Sequence, residues 1–311
     1  MFLNTTYRDA RVGTGTFTRN LIDALPEARH IRLPNSMIRA NRYAFWSRRL
    51  LELGASFSPR PVIHPYWTAS AGHQHLIAPL DLFQFNEATP FERRLMKRSA
   101  GGAGALLALS EATARDFRNL FEVPVFVTRP LPEAMWFEPA SETPKLHGRL
   151  RLAYWGGDHP RKQVGRFLAS LSRTRFRDAE LHHTGKIVDT FGVKCVGHGP
   201  LSATAVRNMV DSCHAAVYPS SGEGFGLPVY ESLLRSRAVL ASPLPVYAEF
   251  APGEAVIHVA DWDDPRLVEQ AIADAVAPSR SAIESLEVST RDAALMRLRG
   301  ALLTAIDGCT L

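Results

Sequence analysis

Residues Tyr218–Ser242 read YPSSGEGFGLPVYESLLRSRAVLAS. The apolar run Ala215–Tyr218 enters this stretch as a short strand, and Pro219, Ser220, Ser221 and Gly222 turn the chain. Glu223, Gly224, Phe225, Gly226 and Leu227 follow. Pro228 comes next, at a place a helix accepts because first-turn N–H groups have no intrahelical partner. The pattern predicts a helix to about Arg235 and a second buried strand over Ala238–Ala241. Strand, loop, helix, strand is the unit of an open parallel sheet, whose ligands lie beyond the carboxyl ends of the strands. Gly224 and Gly226 let the backbone come close to a ligand. The helix start offers N–H groups and the positive end of a dipole to a phosphate.

Two carboxylates frame that loop, Glu223 before the helix and Glu231 one turn inside it, with seven residues between them. A diphosphate has no use for carboxylates. Sugar and ribose hydroxyls do, since one carboxylate accepts two hydroxyl hydrogen bonds. A phosphate cradle flanked by two hydroxyl acceptors reads as a nucleotide-sugar site. Either glutamate alone reads more simply as a solvated side chain at a helix start.

EGFGLPVYE resembles the Glu-x(7)-Glu signature of retaining GT-B glycosyltransferases, most closely glycosyltransferase family four. The resemblance implies that Glu223 lies near the donor sugar and that Glu231 binds the ribose hydroxyls. It implies further that the backbone of Gly224, Phe225, Gly226 and Leu227 meets sugar and diphosphate. It covers Gly13 to about Val276 in order and is specific from Tyr154 to Ser242.

At 311 residues, 46% hydrophobic and 22% charged, the chain suits a protein of two domains. No apolar run approaches the length of a membrane span. The start, MFLNTTYRDARVG, lacks the apolar core of a signal peptide, so the expected compartment is the cytoplasm. Cys195, Cys213 and Cys309 form neither a disulfide framework nor a metal cluster. Net charge is +5, with 19 Lys and Arg against 13 Asp and Glu from Met1 to Leu150. A basic first half suits an anionic partner. No nucleic-acid-binding motif accompanies it, so nucleic acid is not expected.

Along the chain, Phe2–Thr5 predicts a first strand, and Gly13 and Gly15 a turn before a helix with Leu21, Ile22 and Leu25 on one face. Such a turn brings backbone to phosphate, though the G-x-G-x-x-G pattern of a dinucleotide site is missing. Ser36–Phe57 reads as a helix with Arg39, Arg42, Arg48 and Arg49 beside Tyr43, Phe45 and Trp46. That suits peripheral contact with the inner face of a membrane, or more simply a surface helix with an apolar inner face. Asp81 stands where the family often has a His-Asp pair. Here Leu80 replaces the histidine, leaving Asp81 to orient an acceptor hydroxyl or to cap a helix.

Pro130, Pro132, Pro139 and Pro144 mark a linker. After the strand Leu150–Trp155, Gly156 and Gly157 turn the chain, and Arg161 and Lys162 open a helix bearing Val164, Phe167, Leu168 and Leu171. Two cations at a helix N-terminus oppose its dipole unless an anion joins them. The pair resembles the family's Arg-Lys-Asn subgroup, with Gln163 for Asn and Gly157 near the place of an absent phosphate-binding Arg. Gly197 is a candidate neighbour of the nucleotide base. His182, His183 and His198 lack a fourth ligand at a known spacing, so no metal is expected.

The expected fold is α/β, a GT-B pair of Rossmann-like domains facing a central cleft. Residues 1–145 form the acceptor side, 146–285 bind the donor, and a helix in 286–311 returns to the first domain. The resemblance implies a retaining transfer of a hexose, with mannose mildly favoured, from a nucleotide diphosphate sugar to an acceptor hydroxyl. Lys162 and Arg161 would steady the departing diphosphate, and neither cofactor nor metal is needed. The acceptor is unidentified, lipid-linked or a saccharide. Rival readings on the same scaffold are an epimerase, a phosphorylase, or a binding subunit without turnover.

Overall fold

Short apolar runs such as Ala105–Ala108, Ala215–Tyr218 and Ala238–Ala241 become inner strands of two parallel sheets, while the edge strands Arg29–Ile31 and Lys194–Gly197 are partly polar. Near-continuous apolar runs are what a parallel sheet covered on both faces demands. The computed structural model describes residues 1–5, 13–31, 60–67, 74–146, 148–157, 159–187, 189–251, 255–277 and 290–309. The helix expected over 36–57 falls outside these residues. The chain divides into one unit of Met1–Leu131 with Ser289–Leu311 and a second of Pro132–Val288.

The first unit carries β1 (Phe2–Asn4), β2 (Arg29–Ile31), β3 (Val62–His64), β4 (His75–Ile77), β5 (Ala105–Ala108) and β6 (Val125–Val127). They lie in the order β2-β1-β3-β4-β5-β6. Helices α1 (Gly13–Ala24), α2 (Phe83–Glu87), α3 (Pro90–Gly102) and α4 (Glu111–Leu120) accompany them. Ser110 caps α4 by accepting from Thr113 N, and Thr89 with Glu92 forms a capping box on α3. Trp67, Phe85, Phe117 and Phe121 cluster over the buried face of β5. Gly13 and Gly15, expected in a turn, instead stand first and third in α1. Glycine is tolerated there because a first turn has few intrahelical bonds to lose.

The second unit carries β7 (Arg151–Tyr154), β8 (Glu180–His183), β9 (Lys194–Gly197), β10 (Ala215–Tyr218), β11 (Ala238–Ala241) and β12 (Val256–His258). Their order, β12-β11-β10-β7-β8-β9, is that of a dinucleotide-binding sheet. Between β7 and β10 the strand order reverses, and the two loops that leave their carboxyl ends part there. α5 (Val164–Leu171), α6 (Ala203–Asp211) and α7 (Leu227–Leu234) connect strands, and α8 (Pro265–Ala275) follows β12.

Pro132, Pro139 and Pro144 are part of this second unit, so the two units divide between 131 and 132, ahead of the expected 145 and 146. Trp136 is buried and stacks on Trp155 with rings 5.8 Å apart and 9° from parallel. Arg235 donates to the carbonyls of Glu138 and Pro139, and buried Arg237 to those of Ser141 and Glu142. Both guanidiniums also reach Asp211. α9 (Arg291–Gly308) belongs to the first unit, where Arg299 donates to Ala24 O and pairs with Glu27, and Arg291 pairs with Asp23. Among the described residues no helix is long and apolar enough to cross a membrane.

Candidate active site

The loops leaving β7 and β10 build the site in the second unit. After Tyr154 the chain turns through Gly156 and Gly157, the latter at φ +75°, and Tyr154 Oη donates to Gly157 O at 2.5 Å. Pro160–Lys162 then forms a single 3₁₀ turn whose first residues are held by the His159 side chain accepting from Arg161 N. Gln163 takes the left-handed conformation, φ 49° and ψ 23°, before α5 begins at Val164. Arg161 and Lys162 therefore do not open α5, as the sequence suggested. They occupy a turn of their own, set off by Gln163 and tied to the β10 loop where Ser221 N donates to Arg161 O at 2.8 Å.

That placement points both cations at Glu223. Lys162 Nζ lies 2.5 Å from Glu223 Oε1, and Arg161 Nη1 lies 3.4 Å from Oε2 and donates to Gly222 O at 2.9 Å. Lys162 is 7% exposed. A lysine so deep is stable only beside a counter-charge. The cluster sums to one net positive charge just ahead of α7, whose N-terminus no side chain caps. Net positive charge and a helix N-terminus together favour an anion.

Gly226 precedes α7 at φ +88°, and a Cβ there would meet Tyr247 Cε1 at 2.6 Å. Only glycine fits both constraints. Phe225 turns its ring inward against Tyr230 and Phe250, 6.1 and 5.0 Å away between centroids. The buried backbone of Gly224 and Gly226 and half-buried Leu227 complete the loop. Tyr247 is buried under it, and its hydroxyl has no hydrogen-bond partner among the described residues. Burial, and then the nearby Glu223 charge, push that phenol well above its ordinary pKa.

Glu231 sits elsewhere, among aromatic rings. Trp155 Nε1 donates to its Oε2 at 2.9 Å. Trp155 is stacked by Trp136 on one side and meets Tyr218 edge-on at 5.3 Å and 84°. The carboxyl is deep, though the residue keeps some solvent access. Burial pushes its pKa from 4.5 up to about 7; the indole bond acts against that rise and the charge of Glu133 adds to it. No cation is paired with it among the described residues. Near neutral pH this group is poised between acceptor and donor, which suits a vicinal diol.

The structure thus brings Arg161, Lys162, Glu223, Gly224, Phe225, Gly226 and Leu227 together, with Glu231 one turn further on. Gly157 packs near Gly185, beside the β7 loop. Gly197 closes β9, two strands from β7, and a Cβ there would touch His183. His182 and His198 stack at 5.3 Å, with Nδ1 and Nε2 3.1 Å apart, and Glu180 Oε2 lies 3.3 Å from His182. Burial lowers the pKa of His182 and His183. Among the described residues no group of three or more His, Cys, Asp or Glu side chains is placed to hold a metal ion. Gly13, Gly15 and Asp81 belong to the first unit, where Asp81 Oδ1 accepts from Phe83 N at 2.9 Å and shapes the start of α2.

Trp155, Trp136 and Tyr247 were not singled out from sequence. Trp155 had a signal, since the residue closing the first strand of such a sheet stands at the point where strand order reverses. Trp136 and Tyr247 had none, because each reaches the site from another part of the chain.

No protein-family model matches the chain. It is 29% identical over 167 residues to the MMP alpha-(1->4)-mannosyltransferase of Mycolicibacterium hassiacum, a match spanning 48% of this chain and 39% of that protein. Sucrose-phosphate synthase from Thermosynechococcus elongatus superposes with a TM-score of 0.68 at 13% identity, over 99% of this chain and 93% of its own. HepE of Anabaena, solved with UDP and glucose, gives 0.66 at 10%, over 99% and 98%. WaaG, a glycosyltransferase involved in lipopolysaccharide biosynthesis, gives 0.62 at 12%, over 99% and 94%. Two parallel six-stranded sheets with helices, matching these neighbours, make the fold GT-B.

Proposed function

We propose that the chain is a glycosyltransferase that takes a hexose from a nucleoside diphosphate and passes it to an acceptor hydroxyl with retention of anomeric configuration. The observation that carries this reading is the pairing of two unlike sites at the strand-order reversal of one sheet. One is a net-positive pocket before a helix N-terminus; the other is a buried carboxyl on the next helical turn. A diphosphate suits the first and a ribose diol the second. Arg161 and Lys162 neutralise the charge that grows on the leaving diphosphate, an interaction stronger in the transition state than in the ground state. Glu231 holds the ribose, and Gly224 to Leu227 offer backbone to sugar and phosphate. Asp81 is proposed to orient the acceptor, and Gly13 and Gly15 to meet the donor with their backbone. Retention rests on the Glu-x(7)-Glu resemblance. Mannose is the favoured sugar, in keeping with the mannosyltransferase among the relatives, and the proposed acceptor is a saccharide or a lipid-linked one.

Incubating the protein with GDP-mannose, UDP-glucose, UDP-N-acetylglucosamine and dTDP- and ADP-sugars, and following release of the nucleoside diphosphate, tests the reading. Release from one donor, slowed by about a hundredfold or more in Lys162→Ala, is expected. Absence of binding and turnover for every donor at millimolar concentration overturns it.

A further inference from the structure

We infer that Glu223 and the donor's diphosphate are alternative partners of Lys162 and Arg161, and that this exchange makes the site select a nucleotide carrying a sugar over the bare nucleotide. The inference rests on the nucleotide-sugar reading above and specifies how the same residues choose their substrate.

The two oxygens of Glu223 each face one cation, at 2.5 and 3.4 Å, with the Lys162 and Glu223 side chains only 9% and 10% exposed. In that arrangement the carboxylate fills the place a phosphate would take. Two anions cannot share it, because repulsion between close like charges is strong where water is scarce. One partner has to leave.

The cations are the rooted members. Lys162 N donates to His159 O, Gln163 N to Pro160 O, and Ser221 N to Arg161 O, all within 3.1 Å. Glu223 stands between Gly222 and Gly224, on backbone that gives way easily. The carboxylate is therefore the part that swings out. Tyr247, buried with no hydrogen-bond partner for its hydroxyl among the described residues, lies close enough to Glu223 for the two to interact electrostatically. The site thus holds an unspent donor beside the group that moves.

Breaking the pair costs free energy. A donor with a sugar returns part of it, since hexose hydroxyls donate to the freed carboxylate in charge-assisted bonds. A nucleoside diphosphate has no such hydroxyls beyond its β-phosphate and meets the full cost. Glu223 is on this account a specificity-determining residue. It also clears the product: once the sugar has gone to the acceptor, the carboxylate returns to Lys162 and Arg161 and displaces the diphosphate.

Calorimetric titration of the full chain decides. GDP, UDP, ADP and dTDP, the matching monophosphates and the matching nucleotide sugars are titrated into wild type and Glu223→Gln. Glu223→Gln is expected to bind the diphosphate about tenfold more tightly, the size of one lost charge-assisted interaction. Its affinity for the monophosphate stays within about twofold, below the resolution of such an effect. The wild-type preference for the nucleotide sugar over the diphosphate disappears. Unchanged or weaker diphosphate binding by a cooperatively melting Glu223→Gln, beside a wild type that binds diphosphate, overturns the exchange and leaves the glycosyltransferase reading standing. No binding of any nucleotide to either protein overturns that reading and the exchange with it. If Glu223→Gln does not fold, Glu223→Asp, which keeps the charge one methylene short of Lys162, is expected to tighten diphosphate binding by a smaller factor. Wild-type affinity in that variant also overturns the exchange.

Discussion

Glu223 and Glu231 are indistinguishable as letters, and the fold treats them in opposite ways. Glu223 is compensated, with a lysine and an arginine on its two oxygens. Glu231 has no paired cation among the described residues; an indole N–H holds it beside two tryptophans and a tyrosine, with its pKa pushed up to about 7. The first carboxylate is stable because it is charged; the second is tolerated because it can give up its charge. Spacing along a loop and a helix says where two carboxylates point, while the surrounding dielectric and counter-charges decide what each one is.

The widest gap between the two glutamates is expected on removing each side chain. Glu223→Ala strands a buried lysine and should cost about 3–5 kcal/mol in urea unfolding. Glu231→Ala should cost far less stability yet weaken nucleotide binding about tenfold to hundredfold. Equal losses of stability from both changes would erase the contrast. Next in size is Lys162→Ala. Lost stabilisation of the leaving group is expected to lower kcat by about 10²–10³-fold with a smaller change in KM. A raised KM with unaltered kcat would instead make Lys162 an ordinary ground-state contact.

A third expectation concerns pH. A carboxyl whose pKa rises from 4.5 unfolded to about 7 folded holds an extra proton in the folded state between those values. Its contribution is intact below pH 4.5, and stability falls as pH climbs through 7. With about 1.4 kcal/mol per pKa unit, the ionised side chain costs up to about 3 kcal/mol at pH 8. Glu231→Gln keeps an acceptor for Trp155 and carries no charge. It should melt several degrees above wild type at pH 8 and level with it at pH 4.5, as scanning calorimetry would show. A gain that does not vary with pH would mean that the burial of Glu231 is not felt as charge. The smallest effect is expected from Trp155→Phe. It keeps a ring for Trp136 to stack on and removes the N–H, costing about 1 kcal/mol. Nucleotide affinity should then need a higher pH, because Glu231 has lost the one bond that favours its ionised form. An unshifted pH profile would make Trp155 a packing residue only.

Much of the second unit was legible because its strands are apolar runs with clear punctuation. Ala215–Tyr218 and Ala238–Ala241 are β10 and β11 residue for residue. The left-handed break at Gln163 was not legible, since a glutamine gives no sign of positive φ. Its consequence, two cations turned onto Glu223 rather than seated at the mouth of α5, was hidden with it. β2 has two exposed residues of three and no pattern to announce it. Thr89 and Glu92 carry a capping-box signal for α3 that the sequence reading passed over. In the candidate site the glutamate spacing was visible. The Trp155 bond to Glu231 was not, because it joins residues 76 positions apart.

The attachment of Pro132–Thr143 to the second unit determines where the chain can be cut. A fragment of the second unit designed from the expected boundary, starting at residue 146, would lose the indole that backs Trp155. It would also leave Arg235 and Arg237 deep in the protein without the carbonyls of Glu138, Pro139, Ser141 and Glu142. A fragment opening at Pro132 carries its own wall and its own acceptors. For moving the second unit onto another partner domain, the seam is Leu131–Pro132, and residues 132–145 travel with it.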